Sequence, residues 1–454
     1  MWSVYLDSNP LRSGATHAIG LVSRRAHYGP LSPLHARQIR QAQLPGTQWV
    51  RVRNVRAGIS SDDVARVLLR TEGGSAERAL PRTRRTYLGR EVCGEVTEVG
   101  SEVQFLRVGD RVAYQLDQCC ATREIEPPCL HCAAGRYNLC ENRYQPGPQA
   151  IGGGWGDEMI VHERQLFLVP DALSNEQAAL LEPSATALHA VLRHAPQPRD
   201  NVLVIGAGTL GLLTIQAIRA LSPHSSIIVE AEYPFQIEVA NAMGASQVLS
   251  PGDGSAGVAK YTQAKRYKRG RSELVIGGFD AVYDTIGTEG SVQNALRWVR
   301  GGGTIVLAGS HVSQLHLDLT PVWRQEIRVL GAYDHSTEYW PGNTVLAGWE
   351  AESGGRVSTF QLAAALMRER KLTPERLVTH RFALADVRHA IRVASDVQEH
   401  KSLKVLLDIH DAPVIPPHAL DFADQPMPLL APPVPPMPIQ AHETARPVAG
   451  RARG

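Results

Sequence analysis

The chain has 454 residues, of which 47 are lysine or arginine and 45 are aspartate or glutamate, so its formal net charge is +2. A charge this close to neutral gives no electrostatic footprint for nucleic acid, and no stretch is both apolar and long enough to span a bilayer. The first residues lack the apolar core and cleavage site of a signal peptide. We therefore expect a cytoplasmic protein with neither nucleic acid nor membrane as a partner.

Short apolar runs separated by glycine and charged turns fill the chain from residue 46 to about residue 168. Runs such as WVRVRNVRAGI, EVCGEVTEVG and GDRVAYQL are typical of strands, and the alternation in VRVRNV indicates one solvated face. We therefore predict a β-rich domain over residues 1–171, with a lobe inserted at residues 113–145.

Five of the six cysteines fall between positions 119 and 140, which favours a metal site over disulfides in a reducing compartment. Tetrahedral zinc binds thiolates from a short loop, and the spacing C-x2-C-x7-C supplies three of its four ligands. The predicted ligands are Cys129, Cys132 and Cys140, with either Cys119 or Cys120 as the fourth. Glu126 is a less favourable oxygen ligand. The sequence therefore predicts one structural zinc.

From residue 172 the pattern changes to buried strands that alternate with helices, which is typical of a parallel sheet covered on both faces. The segment NVLVIGAGTLGLL places G-x-G-x-x-G directly between a strand and a helix. Gly206 allows the tight turn, Gly208 a close approach of a pyrophosphate, and Gly211 close packing of helix and strand. Thr209 and Leu210 belong to the helix N-terminus that offers N–H groups to the phosphates. The motif therefore predicts a dinucleotide site.

The next strand, in IIVEAEYPFQ, is expected to end near an acidic residue that reads the ribose. Glu230 or Glu232 is predicted to accept a hydrogen bond from the ribose 2′-hydroxyl and to repel a 2′-phosphate. The expected position itself falls on Ala231, between the two acids. The prediction is NAD or NADP, with NAD slightly favoured.

We place the dinucleotide-binding domain at residues 172–333 and expect residues 334–410 to return to the first domain. Residues 411–454 contain eleven of the chain's 30 prolines. Because such a segment does not build a hydrophobic core, we predict a proline-rich, disordered tail.

Several stretches of the chain, spread over about residues 46–410, together resemble medium-chain dehydrogenases of the zinc-containing alcohol, threonine and sorbitol dehydrogenase type. They are VGDRV, CLHCAAGRYNLC, LEPSATALHAV, VLVIGAGTLGLL, FDAVYDTIG and GGGTIVLAG. The resemblance implies an α/β protein with a GroES-like β-rich catalytic domain and a Rossmann domain, whose parallel sheet is doubly wound. It also implies an NAD(P)-dependent oxidoreductase with a small-molecule partner, which transfers hydride between the nicotinamide and an alcohol, carbonyl or enone. Family members are commonly oligomers, so the resemblance further implies a homodimer or homotetramer.

The chain departs from that family where the catalytic zinc is usually held. The segment that normally reads Gly-Ile-Cys-Gly-Ser-Asp has Ser60 in place of the cysteine, and the usual Gly-His-Glu has Arg90 in place of the histidine. Glu91 and Glu182 remain in register. Serine is a poor zinc ligand and arginine is none. We therefore expect the cleft to lack catalytic zinc.

The substitution leads to three hypotheses for the cleft. In the first, Arg90 is oriented by Glu91 or Glu182 and stabilises an alkoxide or enolate, while Ser60 or Asp62 handles a proton. In the second, the chain binds the dinucleotide but has lost catalysis, and Arg90 only neutralises Glu182. The third and weakest keeps zinc, held by Glu91, Glu182 and water.

Overall fold

The computed structural model describes residues 1–70, 83–115, 118–270, 272–309, 314–339 and 356–410. The predicted proline-rich tail at 411–454 lies outside these described residues. Helices that are long and apolar enough to cross a bilayer are absent from the described part of the chain.

A small antiparallel sheet precedes the predicted β-rich region. Its strands are β1 (Trp2–Asp7), β2 (Leu34–Gln38) and β4 (Arg85–Tyr87), with β1 in the centre. Helix α1 (Pro10–Gly20) follows β1, and the Asn9 side chain caps it by accepting from the backbone N–H groups of Leu11 and Arg12.

A seven-stranded sheet forms the body of the β-rich region. Its strands are β3 (Trp49–Ile59), β5 (Val92–Val99), β6 (Arg111–Tyr114), β7 (Glu158–His162), β8 (Leu166–Leu168), β19 (Val378–Ala383) and β20 (Lys404–Asp408). The order is β19-β20-β3-β5-β6-β8, and β7 also pairs with β3. Strand β20 pairs antiparallel with β3, so the last described part of the chain is built into this first sheet.

The predicted parallel sheet is confirmed. Its strands are β9 (Asn201–Ile205), β10 (Ser226–Glu230), β11 (Gln247–Leu249), β14 (Phe279–Asp284), β15 (Val299–Leu307) and β16 (Arg328–Gly331). All neighbours are parallel in the order β11-β10-β9-β14-β15-β16, which is the 3-2-1-4-5-6 order of a Rossmann fold. The apolar residues of β9 and β14 are buried, as the absence of alternation in these runs predicts.

Helices pack around this sheet and connect it to the first. They are α4 (Asn175–Ala179), α5 (Leu181–Arg193), α6 (Thr209–Leu221), α7 (Pro234–Ala242), α8 (Gly254–Thr262), α9 (Glu289–Trp298) and α10 (Thr320–Arg324). Strands β12 (Lys265–Arg269) and β13 (Ser272–Ile276) form a hairpin before β14. Ser174 starts α4 with a capping box to Gln177, so the chain enters the helical region at a defined residue.

The other elements lie around the two main sheets. They are α2 (Ser61–Val67), α3 (Leu130–Ala133), β17 (Thr337–Tyr339), β18 (Arg356–Ser358), α11 (Thr359–Arg368), α12 (Val387–Ser395) and α13 (Val397–His400). Helix α11 packs on α5, and β17 pairs with β18. The segment between β16 and β17 thus runs beside α5, where the candidate site is found.

Candidate active site

Arg90 lies in the loop between β4 and β5, and three carboxylates surround it. Its Nη2 atom donates to Glu182 Oε1 at 2.7 Å and to Asp334 Oδ1 at 2.5 Å. Its Nη1 atom lies 3.9 Å from Asp62 Oδ2. The Arg90 side chain is 18% exposed, against 6% for Glu182 and 15% for Asp334. The arginine therefore joins three segments that are far apart in the sequence.

Two nitrogen atoms of Arg90, Nε and Nη1, have no hydrogen-bond acceptor among the described residues. The buried Nε atom makes no hydrogen bond within the described residues, and Nη1 has only its 3.9 Å approach to Asp62. A buried N–H group without an acceptor costs about 1–3 kcal/mol. An oxygen atom of a bound molecule would relieve that cost.

Burial and the ion pairs set the charges of this cluster. Burial and the Coulomb repulsion of Glu91 and Asp334 raise the pKa of Glu182 above its usual value, although Arg90 opposes them. Burial alone would also raise the pKa of Asp334, but its contact with Arg90 outweighs burial and lowers it. The same carboxylates outweigh the burial of Arg90, so its pKa rises and it stays protonated. Burial thus favours the neutral form of Glu182, whereas Arg90 favours the ionised form of Asp334.

Glu91 is engaged elsewhere. Both of its carboxylate oxygens accept from Lys404 Nζ, at 2.6 and 2.7 Å, and Lys404 also donates to the Ile59 carbonyl. Both side chains are 3% exposed. A Cβ atom at Gly58 would come within 1.8 Å of Glu91 Oε2, so glycine is required there. Glu91 makes no ion pair with Arg90 within the described residues, and its geometry is that of a buried structural pair.

Ser60 serves as the N-cap of α2. Its hydroxyl accepts from the Asp63 backbone N–H at 3.0 Å and donates to Asp63 Oδ2 at 2.7 Å. The other Asp63 oxygen accepts from the Gly89 N–H, one residue before Arg90. Ser60 and Asp63 therefore fix the loop that presents Arg90, and the Ser60 proton is already committed to Asp63.

These contacts do not fit a catalytic zinc. Ser60 is occupied by Asp63, the guanidinium of Arg90 contacts Glu182, and Glu91 is neutralised by Lys404. Among the described residues, the one group of three or more metal-ligating side chains that converges is in the cysteine lobe. A fixed cation beside the remaining carboxylates opposes a second cation.

The glycine turn has the geometry that a dinucleotide requires. Gly206 has φ +99°, which favours glycine, and a Cβ atom at Gly211 would come within 1.9 Å of the Gly206 carbonyl oxygen. Gly208 is exposed at the N-cap of α6, with open space where a side chain would stand. The backbone N–H groups of Thr209 and Leu210 begin that helix, while the Thr209 hydroxyl donates to the Leu403 carbonyl. These residues fit a bound pyrophosphate.

Glu230 and Glu232 lie in different environments at the end of β10. Glu230 is the last residue of the strand and is half-buried, whereas Glu232 is exposed beyond it. Burial, together with the nearby Asp284, raises the pKa of Glu230 to about 7. The junction from residue 230 to residue 242 contains no lysine or arginine. Glu230 is therefore the better placed of the two to contact a ribose.

The cysteine lobe brings four thiols together. The sulfur atoms of Cys120, Cys129, Cys132 and Cys140 lie within 4.8 Å of one another. The Cys120–Cys140 and Cys129–Cys140 sulfur distances are 3.7 and 4.0 Å. Tetrahedral zinc with Zn–S bonds of about 2.3 Å requires sulfurs about 3.8 Å apart. The four thiols fit a structural zinc.

Hydrogen bonds in the lobe also favour thiolates. The Cys120 sulfur accepts from the Cys129 backbone N–H at 3.3 Å and from Asn142 Nδ2 at 3.2 Å. Such donors orient metal-bound thiolates. Cys119, the other candidate for the fourth ligand, lies outside the group, and its backbone N–H and carbonyl bond to the Thr122 hydroxyl.

Sequence reasoning missed two residues of the cleft. Asp334 is 244 positions from Arg90, and no local pattern identifies it. Lys404 does leave a signal in the sequence. It is the one lysine in the mostly apolar stretch SLKVLLDI, and a lysine in a buried strand is expected to have an acidic partner.

Comparison with known proteins agrees with the fold. Residues 46–171 match the family described as alcohol dehydrogenase GroES-like domain, and residues 209–348 match zinc-binding dehydrogenase. Sorbitol dehydrogenase of Bacillus subtilis (strain 168) is 30% identical over 261 residues, which is 57% of this chain and 69% of the relative. L-Idonate 5-dehydrogenase of Vitis vinifera is 27% identical over 328 residues, which is 71% of this chain and 79% of the relative. A solved structure from Sinorhizobium meliloti 1021 that holds NADP has a TM-score of 0.63 at 25% identity and covers 83% of this chain and 95% of that chain.

A Rossmann sheet with its glycine turn, joined to a GroES-like β-domain, defines an alcohol dehydrogenase-like oxidoreductase that depends on NAD(P). The chain belongs to the zinc-containing alcohol dehydrogenase family of the medium-chain dehydrogenases. The predicted fold class and enzyme class are therefore confirmed.

Proposed function

We propose that the chain oxidises a secondary alcohol of a small polyol, and reduces the corresponding ketone, with Arg90 in the place of a catalytic zinc. The observation that carries the proposal is the guanidinium of Arg90, which Glu182 and Asp334 hold at 2.7 and 2.5 Å while its Nε and Nη1 atoms have no acceptor among the described residues. A polyol is favoured because the relatives include a sorbitol dehydrogenase and an L-idonate 5-dehydrogenase.

Arg90 would stabilise the charge that develops on the substrate oxygen. When the hydroxyl loses its proton, an alkoxide forms, and a fixed cation with free N–H donors lowers the energy of that state. The two carboxylates keep the guanidinium in one orientation, so little reorganisation is needed during the reaction. The same donors would polarise the carbonyl oxygen in the reverse direction.

Glu182 would accept the hydroxyl proton. Its Oε1 atom accepts from Arg90 and, at 3.4 Å, from Thr186, while Oε2 has no partner within the described residues. The raised pKa of this carboxyl brings it closer to the operating pH, as a general base requires. NAD, when bound, supplies the hydride acceptor. Ser60, Asp62 and Glu91 then support the site rather than the chemistry, because each already has an internal partner.

The coenzyme proposed is NAD, held by the glycine turn and by Glu230. The acidic environment of Glu230 and the absence of basic residues at 230–242 disfavour a 2′-phosphate. Direct titration of NAD and NADP against the protein measures this preference. Tighter binding of NADP would contradict it.

A dinucleotide-binding protein without catalysis is the second candidate. It is favoured by the fact that Nη2 of Arg90 is satisfied internally by Glu182 and Asp334. The two candidates separate in an assay of NADH formation with polyols and secondary alcohols and of NADH oxidation with ketones and enones, using protein dialysed against metal-free buffer without a chelator. Steady turnover of any one substrate supports the proposed reaction, while NAD binding without turnover of alcohols, ketones or enones supports the second.

A further inference from the structure

The cysteine lobe contacts the segment that carries Asp334. Asn138, which lies between Cys132 and Cys140, is 6% exposed. Its Nδ2 atom donates to the Tyr333 carbonyl at 2.9 Å, and its Oδ1 atom accepts from the Ser336 hydroxyl at 3.2 Å. One amide side chain of the lobe therefore holds this segment on both sides of Asp334.

Arg143 adds a second contact from the other side of Cys140. Its guanidinium carbon lies 5.1 Å from the centre of the Tyr333 ring, a cation–π distance. The Arg143 carbonyl accepts from Arg123 at 2.8 and 3.1 Å, which ties it to the first turn of the lobe. The residue before Asp334 is thus held by two residues that flank one of the four thiols.

Asp334 has a backbone conformation that needs such support. Its φ is +53°, in the left-handed region that non-glycine residues adopt rarely. The flanking contacts at Tyr333 and Ser336 fix the direction of its side chain, which then meets Arg90 at 2.5 Å. A shift of this segment would move the carboxylate and, with it, one of the two partners that orient Arg90.

We propose that Asn138 is a positioning residue through which the cysteine lobe sets the orientation of Asp334 and Arg90. When zinc is bound, the four thiols would fix the conformation of the lobe. Asn138 would then fix the position of the segment that carries Asp334. The inference rests on the proposed role of Arg90.

A double-mutant cycle tests the inference with Asn138→Ala, Asp334→Asn and the double variant. Asn138→Ala is expected to lower kcat by about tenfold to a hundredfold, since small displacements of catalytic groups cost this much. Its zinc content, its KM for the coenzyme and its affinity for NAD should stay unchanged. In the Asp334→Asn background the same substitution should have little further effect. An equal loss in both backgrounds, or loss of zinc from Asn138→Ala, would overturn the inference.

Asn175→Ala is the matched control. Asn175 accepts from Arg111 at 3.1 Å in another part of the molecule, so the substitution removes the same amide group without touching the Asp334 segment. It is expected to leave kcat unchanged. A loss of kcat in this control equal to that of Asn138→Ala would contradict a specific role for Asn138.

The same cycle measured by thermal unfolding separates this inference from the proposed function. The shifts in Tm of the two single variants should not add, because the residues act through one segment. If no substrate turns over but the Tm shifts are non-additive, the proposed alcohol oxidation is refuted while the coupling between Asn138 and Asp334 is supported. Additive shifts in the zinc-loaded protein overturn the link.

Discussion

The cysteine lobe and the cleft around Arg90 both gather side chains that can carry negative charge, but the cleft also contains a cationic side chain at its centre. The lobe places four thiols within 4.8 Å of one another, with N–H donors directed at the sulfurs of Cys120 and Cys140. The cleft places carboxylates around a guanidinium that is part of the chain. Under the proposed function, a cation of the chain itself takes the place of a metal in the cleft, whereas the lobe keeps four thiols that fit zinc.

The largest effect is expected in the lobe, where Cys120→Ser removes one of the four sulfurs. Structural zinc contributes about 10–16 kcal/mol of apparent binding free energy in zinc-finger peptides, so its loss is costly to folding. Elemental analysis and thermal unfolding should report lost zinc and a much lower Tm. Cys119→Ser is the matched control and should keep its zinc; equal zinc loss in both variants would contradict the assignment of Cys120.

Lys404→Met gives the next largest effect, because it leaves the carboxylate of Glu91 buried without a partner. Removing one partner of a buried ion pair is expected to lower the free energy of unfolding by about 3–5 kcal/mol, which unfolding in urea would measure. The double variant Glu91→Leu, Lys404→Met should recover most of that loss. Full stability of Lys404→Met alone would show that Glu91 has another role in the cleft.

Arg90→Ala is expected to lower kcat/KM by about 10²–10³, the cost of removing one donor that stabilises an oxyanion. The affinity for NAD should not change, because the glycine turn is on another domain. Arg53→Ala removes an arginine from an exposed pair with Glu95 and serves as the control. Unchanged turnover in Arg90→Ala would refute the proposed electrophile.

The smallest expected effect is a change in the affinity for NAD when Glu230 is replaced or changes its protonation. The pKa of Glu230 is raised to about 7, so the side chain is protonated below that pH and becomes a carboxylate above it. If the carboxylate accepts from the ribose hydroxyls, the affinity for NAD should rise as the pH increases through about 7. Glu230→Gln should weaken NAD binding by about tenfold, the equivalent of one hydrogen bond, and remove the pH dependence. The same change at exposed Glu232 should do neither, and the reverse result would make Glu232 the ribose reader.

Local motifs made the glycine turn between β9 and α6 predictable from the sequence. The turn at Gly206 and the close contact of Gly211 are encoded within six residues, next to a strand and a helix that their apolar runs define. The parallel sheet follows from the same alternation of buried strands and helices.

The cleft was predictable only in part. Ser60 and Arg90 marked the departure from the family motif, and Glu182 was named as a partner of Arg90. Asp334 and Lys404 lie 244 and 313 positions from Arg90 and Glu91, beyond any local pattern. The fourth sulfur was ambiguous for a different reason. Cys119 and Cys120 are neighbours, so only the path of the chain through the turn at Ala121–Arg123 decides which one faces the other thiols.

Zinc content tests the comparison of lobe and cleft most directly. The measurement is elemental analysis of a preparation that is active with NAD, after exhaustive dialysis against metal-free buffer. About one zinc per chain is expected, because four thiols converge in the lobe and the cleft carries its own cation. About two per chain, with the second lost in Glu182→Gln and not in Cys120→Ser, would mean that the cleft holds a catalytic metal after all.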